Sequence, residues 1–241
     1  MISHHHNCVF VHIPKCAGKS IEHVFLASLG LTWRTRAPLL LRPNDMPELG
    51  PPRLAHLKAA DYVRCKYLTQ RQFDEYFKFA FVRNPWSRVV SMYKYMGFHR
   101  HCDFATFVTT RLATELWEQR YWFVGPQNEY IYSQEGDLLV DFVGKFENIQ
   151  ADFNRVCRAL DLPETQLRHV NWHEKREAKL PFTPKRLSTY ILRHREIKRA
   201  PPHKDYKDYY DEETKGLVAE LYKRDIELFG YGFDAHQTRV A

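Results

Sequence analysis

The 241-residue chain is 44% hydrophobic, 15% aromatic and 27% charged, a composition that builds a core and excludes a disordered or fibrous chain. Its length suits one α/β domain with loop insertions, and its net charge of +7 favours anionic ligands such as nucleotides and acidic sugars. Cys8, Cys16, Cys65, Cys102 and Cys157 show no paired spacing, so no disulfide framework or zinc site is expected; with no signal peptide and no apolar run of about eighteen residues, the expected location is cytoplasmic.

The first element is the apolar run Cys8-Val9-Phe10-Val11, read as a buried strand over residues 7 to 13 with His4-His5-His6 as a polar lead-in. Ile13-Pro14-Lys15-Cys16-Ala17-Gly18-Lys19-Ser20 then makes a tight loop, and residues 19 to 29 a helix. A helix start presents unpaired backbone N–H groups and the positive end of its dipole, so a nucleotide phosphate is the expected ligand here. The ATP-type pattern G-x-x-x-x-G-K-[ST] requires glycine at position 13, where Ile13 stands, and demands no lysine at the position of Lys15. The alternative at this point is a turn in which Gly18 and Ser20 serve only geometry and capping. His12, inside the strand, is assigned to shaping the loop.

From Arg34 to Arg53 the chain is basic and proline-rich, a long irregular segment suited to acceptor binding or to a lid. Arg53-Leu54-Ala55-His56-Leu57 is predicted as a short strand and Ala59 to Val63 as a helix. Phe77 to Val82 is another buried strand and Pro85 to Tyr95 a helix, with Pro85 in the first position, where a missing N–H is no loss. Arg83 thus stands at the carboxyl end of a strand, where open parallel sheets bind ligands, and Ser91 follows on the helix. A guanidinium can fork two N–H bonds onto a phosphate and a hydroxyl can add another. Two phosphate grips on two strand-to-helix junctions imply a ligand with two separate phosphates.

Asp103 to Phe123 has helical spacing in two pieces, and Trp117, Tyr121 and Trp122 are assigned to core packing. Leu138 to Val143 is a further strand, Ile149 to Leu160 an amphipathic helix, Arg168 to Lys207 a basic stretch, and Asp211 to Phe229 one closing helix. Strands alternating with helices predict an α/β fold, a three-layer P-loop-like arrangement with a mostly parallel central sheet flanked by helices, with residues 1–241 as a single domain.

Together, Ile13 to Ser20 and Phe81-Val82-Arg83-Asn84-Pro85-Trp86-Ser87-Arg88-Val89-Val90-Ser91 resemble the two phosphate motifs of the sulfotransferases that use 3'-phosphoadenosine 5'-phosphosulfate (PAPS), specifically the carbohydrate, family 2-like type. Val140 to Asn148, Tyr209-Tyr210, Asp225-Ile226 and Phe229-Gly230-Tyr231 add weaker support, so the resemblance spans nearly the whole chain. One departure is Lys19, where this family usually carries threonine or a similar small hydroxyl residue.

The resemblance implies that Lys15, Cys16, Ala17, Gly18, Lys19 and Ser20 hold the 5'-phosphosulfate and that Arg83 and Ser91 hold the 3'-phosphate. Lys15 would neutralise charge on the leaving phosphate, with the N–H groups of Ala17 through Ser20 acting as an oxyanion site, and no metal is expected. His56 matches the position of the proposed catalytic base, with Glu129 as the fallback. Lys175 and Arg176 fall where the family has a loop closing over the nucleotide, but a solvated basic loop is the preferred reading of them. The expected partners are the nucleotide co-substrate and a hydroxyl acceptor, a carbohydrate, with no nucleic acid and no membrane segment. The competing readings are a P-loop kinase or ATPase and a non-catalytic polyanion-binding protein.

Overall fold

The structure, a computed structural model, describes residues 1–167 and 205–234. The two strongest apolar runs become the central strands of a four-stranded sheet ordered β1 (Ile2–Ser3), β2 (Cys8–Val11), β3 (Phe77–Val82) and β4 (Phe142–Lys145). β2 pairs with β3 from Cys8↔Phe77 to Val11↔Ala80, and β3 with β4 from Phe79↔Phe142 to Val82↔Lys145, both in parallel. Every residue of β2 and all but the first of β3 are buried, which is why neither strand alternates polar with apolar residues. The chain is therefore α/β with a mostly parallel sheet, as predicted. β1 is an unpredicted antiparallel edge strand, and the histidine triplet is the turn joining it to β2 rather than a lead-in.

Parallel neighbours need crossovers, and helices supply them. After β2, α1 (Gly18–Ser28) turns Ile21, Glu22, Phe25 and Leu26 inward. The short α2 (Asp61–Arg64) and α3 (Gln70–Glu75) lead into β3, with α3 opened by a Thr69/Gln72 capping box. After β3, α4 (Pro85–Tyr95) begins on Asn84, whose Oδ1 accepts the amides of Trp86 and Ser87 at 3.1 and 3.3 Å. One apolar cluster surrounds the sheet; a second lies between α4, residues 104–124 and the closing helices.

Several sequence expectations are corrected. Residues 53–57 are not a strand: Leu54–His56 is a 3-10 turn, preceded by Pro51-Pro52 and touching other strand-like backbone only at the Pro43↔Arg53 bridge. β4 starts at Phe142 rather than Leu138, because Leu138 bridges Tyr132 while the Asp141 carboxylate caps the start of the pairing through the Lys78 amide at 2.7 Å. Residues 104–124 break into short helical segments around wider π-type turns at Phe107–Leu116, where Thr109, Thr110 and Thr114 hydroxyls donate to carbonyls one turn back. The closing helix is two, Glu212–Leu221 and Lys223–Phe229, divided at Tyr222, whose hydroxyl donates to Val124 O at 2.7 Å. Within the proline-rich segment Leu39, Leu40 and Leu41 are buried in the core, and Asn44 donates to the carbonyls of Met46, Gly50 and Pro51. Lys175, Arg176 and most of the basic stretch lie outside the described residues. Among the described residues no helix is long and apolar enough to cross a membrane.

Candidate active site

The loop after β2 is shaped by two non-glycine residues with left-handed backbone, Lys15 at φ 70° and Ala17 at φ 62°, the latter capping α1. Gly18 opens the helix beneath the His12 ring: a Cβ there would lie 2.0 Å from His12 Cδ2 and Nε2. The Ser20 amide turns back onto Ala17 O at 3.0 Å in the first turn of the helix. Lys15 Nζ sits 3.9 Å from the Tyr95 ring centre, whereas Lys19 Nζ lies over Trp33. Burial, then the nearby charges of Arg83 and Lys19, bring the Lys15 pKa down to about 7. Cys16 faces inward, its thiol donating to Gln127 Oε1 at 3.2 Å, and burial pushes its pKa up to about 12, which makes it a packing residue and not a thiolate ligand.

The second junction follows β3. Arg83 leaves the strand end with Nε and Nη2 on Ser87 Oγ at 3.0 and 2.8 Å, Nη1 on Lys15 O at 3.3 Å, and its guanidinium 4.1 Å from the Phe146 ring centre. Ser91, four residues beyond Ser87, occupies the same face of α4. Fixed backbone holds the junction: Gln127 accepts the Arg83 amide and donates to its carbonyl, both at 2.8 Å, while Glu147 accepts the Asn84 amide at 2.7 Å and the Tyr231 hydroxyl at 3.0 Å. Asp225, fully buried, accepts the amides of Gln127 and Asn128, each at 2.7 Å. Arg88, also fully buried, donates to the carbonyls of Pro14, Gly125 and Phe123, tying the first loop to the 123–125 segment.

His56 approaches from the 3-10 turn and is 9% exposed. Its Nδ1 lies 2.8 Å from His12 O, an acceptor only, so Nδ1 carries the proton and Nε2 keeps its lone pair. Burial, and then His12, hold its pKa well below the usual imidazole value, which keeps the ring neutral at neutral pH. Tyr95, Phe123 and Trp122 form a continuous aromatic wall from the loop lysine to His56: Tyr95 stacks on Phe123 at 5.7 Å, and His56 lies 5.8 Å from Trp122. Glu129 is engaged by Lys58 at 2.7 Å and by the Tyr121 hydroxyl, which removes it as a ready base.

Two basic junctions thus stand at the carboxyl ends of adjacent parallel strands and touch through Arg83 and Lys15. The model of the sulfotransferase family matches residues 1–232. The chain belongs to the sulfotransferase family. It is also 31% identical over 98 residues to an uncharacterized protein of Archaeoglobus fulgidus, covering 39% of this chain and 76% of that protein. No solved structure matches it.

In this sulfotransferase the structure gathers Lys15, Cys16, Gly18, Arg83 and His56 around the carboxyl ends of β2 and β3. It brings Arg83 onto Ser87 rather than onto Ser91. Sequence reasoning gave no role to Ser87, Arg88, Gln127, Glu22 or Asp225; Ser87 and Arg88 lie inside the second motif, Asp225 is part of the weaker C-terminal resemblance, and Gln127 and Glu22 show only as polar residues near apolar ones. Among the described residues no group of three or more His, Cys, Asp or Glu is placed to hold a metal ion.

Proposed function

We propose that this sulfotransferase moves the sulfuryl group of PAPS to a hydroxyl, of a carbohydrate, by in-line transfer without a metal. The observation that carries this reading is the contact of Arg83 Nη1 with Lys15 O at 3.3 Å, which joins a cationic loop at a helix start to a second arginine-bearing junction. A nucleotide with separate 5' and 3' phosphates has one group for each junction. The 5'-phosphosulfate lies on the early amides of α1 and on Lys15, and the 3'-phosphate on Arg83 and the Ser87 and Ser91 face of α4.

The acceptor oxygen attacks sulfur as the bond from sulfur to the bridging oxygen breaks, and the electron pair passes to the 5'-phosphate of the departing 3'-phosphoadenosine 5'-phosphate (PAP). Lys15 and the loop amides stabilise the charge that gathers on that phosphate. The acceptor's proton passes to His56 Nε2, the one ring nitrogen left with a lone pair by the bond to His12 O.

Calorimetric titration tests the reading. PAP should bind much more tightly than adenosine 5'-phosphate, because charged hydrogen bonds to a 3'-phosphate are worth about 1.5 to 3 kcal/mol each, roughly tenfold to more than a hundredfold in affinity. Arg83→Ala should collapse that preference while weakening adenosine 5'-phosphate far less. Equal affinity for the two nucleotides, or tight ATP binding that requires Mg²⁺, would sink PAPS use in favour of a kinase or ATPase. Heparin binding with no nucleotide affinity would leave a polyanion-binding protein.

A further inference from the structure

The aromatic wall begins at a contact that the transfer steps above leave unused. Tyr95 is the last residue of α4, four beyond Ser91 and eight beyond Ser87, so the helix face that runs along the second junction ends over the first loop. The Lys15 amine stands 3.9 Å from the centre of the Tyr95 ring. That ring is backed by Phe123, stacked on it at 5.7 Å and 22°, and Phe123 meets the His56 ring edge-on at 6.5 Å. Tyr95 therefore touches the donor lysine directly and the base through Phe123. Arg83 and Lys19, both positive, act on the Lys15 amine, and among the described residues no carboxylate forms an ion pair with it. Like charges push an ammonium out of the loop, whereas an aromatic face draws it in. The face attracts the amine in either protonation state, an ammonium through its charge and a neutral amine through its N–H bonds.

We propose that Tyr95 is a positioning residue for Lys15: its ring fixes the end of the loop lysine, before any nucleotide arrives, in the place from which it meets the 5'-phosphate. A lysine stem is flexible and carries much rotamer entropy, so an amine left to itself would have to be ordered as the nucleotide binds, at a cost in affinity. Stacking on Phe123 holds the ring, and the ring holds the amine, so that ordering is already complete in the free protein. The inference rests on the reading of Lys15 as the ligand of the 5'-phosphate.

Two measurements test it. Proton NMR of the free full chain should show the Lys15 ε-methylene signals moved upfield of the other lysines by the Tyr95 ring current, kept there in Tyr95→Phe and returned to the ordinary position in Tyr95→Leu; their absence in Lys15→Ala assigns them. Lys15 signals at the ordinary lysine position in the wild-type protein overturn the proposal, and this readout needs neither nucleotide nor acceptor. Calorimetry with PAP reads the consequence. Tyr95→Leu, which keeps an apolar side chain against Phe123, should weaken PAP binding by about threefold to thirtyfold, the range a contact of this kind spans, while Tyr95→Phe should bind as the wild type does. In a Lys15→Ala background the change to leucine should weaken binding no further, because Tyr95 acts through the lysine. Equal weakening in both backgrounds gives Tyr95 a structural part only. Unchanged or tighter binding by Tyr95→Leu means that the ring does not hold the amine where the phosphate needs it, and Tyr95→Phe binding as weakly as Tyr95→Leu assigns the effect to the hydroxyl. Each of these three outcomes overturns the proposal. If the wild-type protein binds no PAP, the nucleotide reading fails by itself, while the ring-current shift still decides whether Tyr95 holds Lys15.

Discussion

Lys15 and His56 divide the chemistry between donor and acceptor, and each owes its state to burial. A buried ammonium whose pKa has come down to about 7 gains most from an incoming phosphate, because the anion replaces the solvation that burial removed. Lys15→Ala should lower turnover by on the order of a hundredfold or more, the usual loss when one donor to developing charge is removed, as measured with labelled PAPS. Retained turnover would move that duty to another group. His56→Ala should abolish transfer and leave PAP affinity intact, since the ring meets the loop through His12, at its carbonyl and its ring, and not through Lys15 or Arg83. A variant that loses nucleotide binding while keeping turnover would make His56 a structural residue.

At the scale of elements, the parts of the site visible in sequence were those written in contiguous residues. β2, β3 and α4 appear as an apolar run, a second one interrupted only by Lys78, and a Pro85 start, and both junctions follow from them. What stayed hidden is held by partners far apart in the chain. The Gln127 amide meets Asp225 across 98 residues, and Arg88 reaches back 74 residues to Pro14. The 3-10 turn carrying His56 was mistaken for a strand because an apolar residue on either side of Ala55-His56 looks the same in both, and the division at Tyr222 is invisible because apolar spacing continues through it. Two variants probe these ties. Gly18→Ala should destabilise the fold by about 1 to 3 kcal/mol, because the His12 ring it would strike is pinned by Glu22 and cannot swing away. Arg88→Met should destabilise it by roughly 3 kcal/mol, removing the guanidinium from three buried carbonyls and leaving Pro14 O only the Cys16 thiol, and should also weaken PAP binding by loosening Pro14. Denaturant melts with and without PAP measure both; an Arg88→Met protein as stable as wild type would mean those carbonyls find water.

For the whole molecule, the buried bases tie stability and nucleotide binding to pH with one sign. Lys15 falls from 10.5 to about 7, the Met1 amino group from 8.0 to about 5, and His56 well below 6.5. A base whose folded pKa is depressed adds stability that is complete above its unfolded pKa and is lost as pH falls toward its folded one. The window is therefore pH 10.5 to 7 for Lys15, 8 to 5 for Met1, and below 6.5 for His56. Buried Cys8 and Cys16, each raised from 9.0 to about 12, act in the opposite sense and erode stability above pH 9, so the test belongs below that value. The free protein should gain about 1 kcal/mol or more between pH 6 and pH 8.5, seen as a rising melting temperature. PAP reverses the Lys15 contribution, because a phosphate beside the ammonium restores its proton. Binding near pH 8 should therefore take up protons, approaching one per site, and affinity should weaken as pH rises through that range. Calorimetry in buffers of different ionisation enthalpy reads the uptake directly. If no proton is taken up in wild type, or the same uptake persists in Lys15→Ala, the 5'-phosphate does not rest on Lys15 and the loop's charge must come from elsewhere.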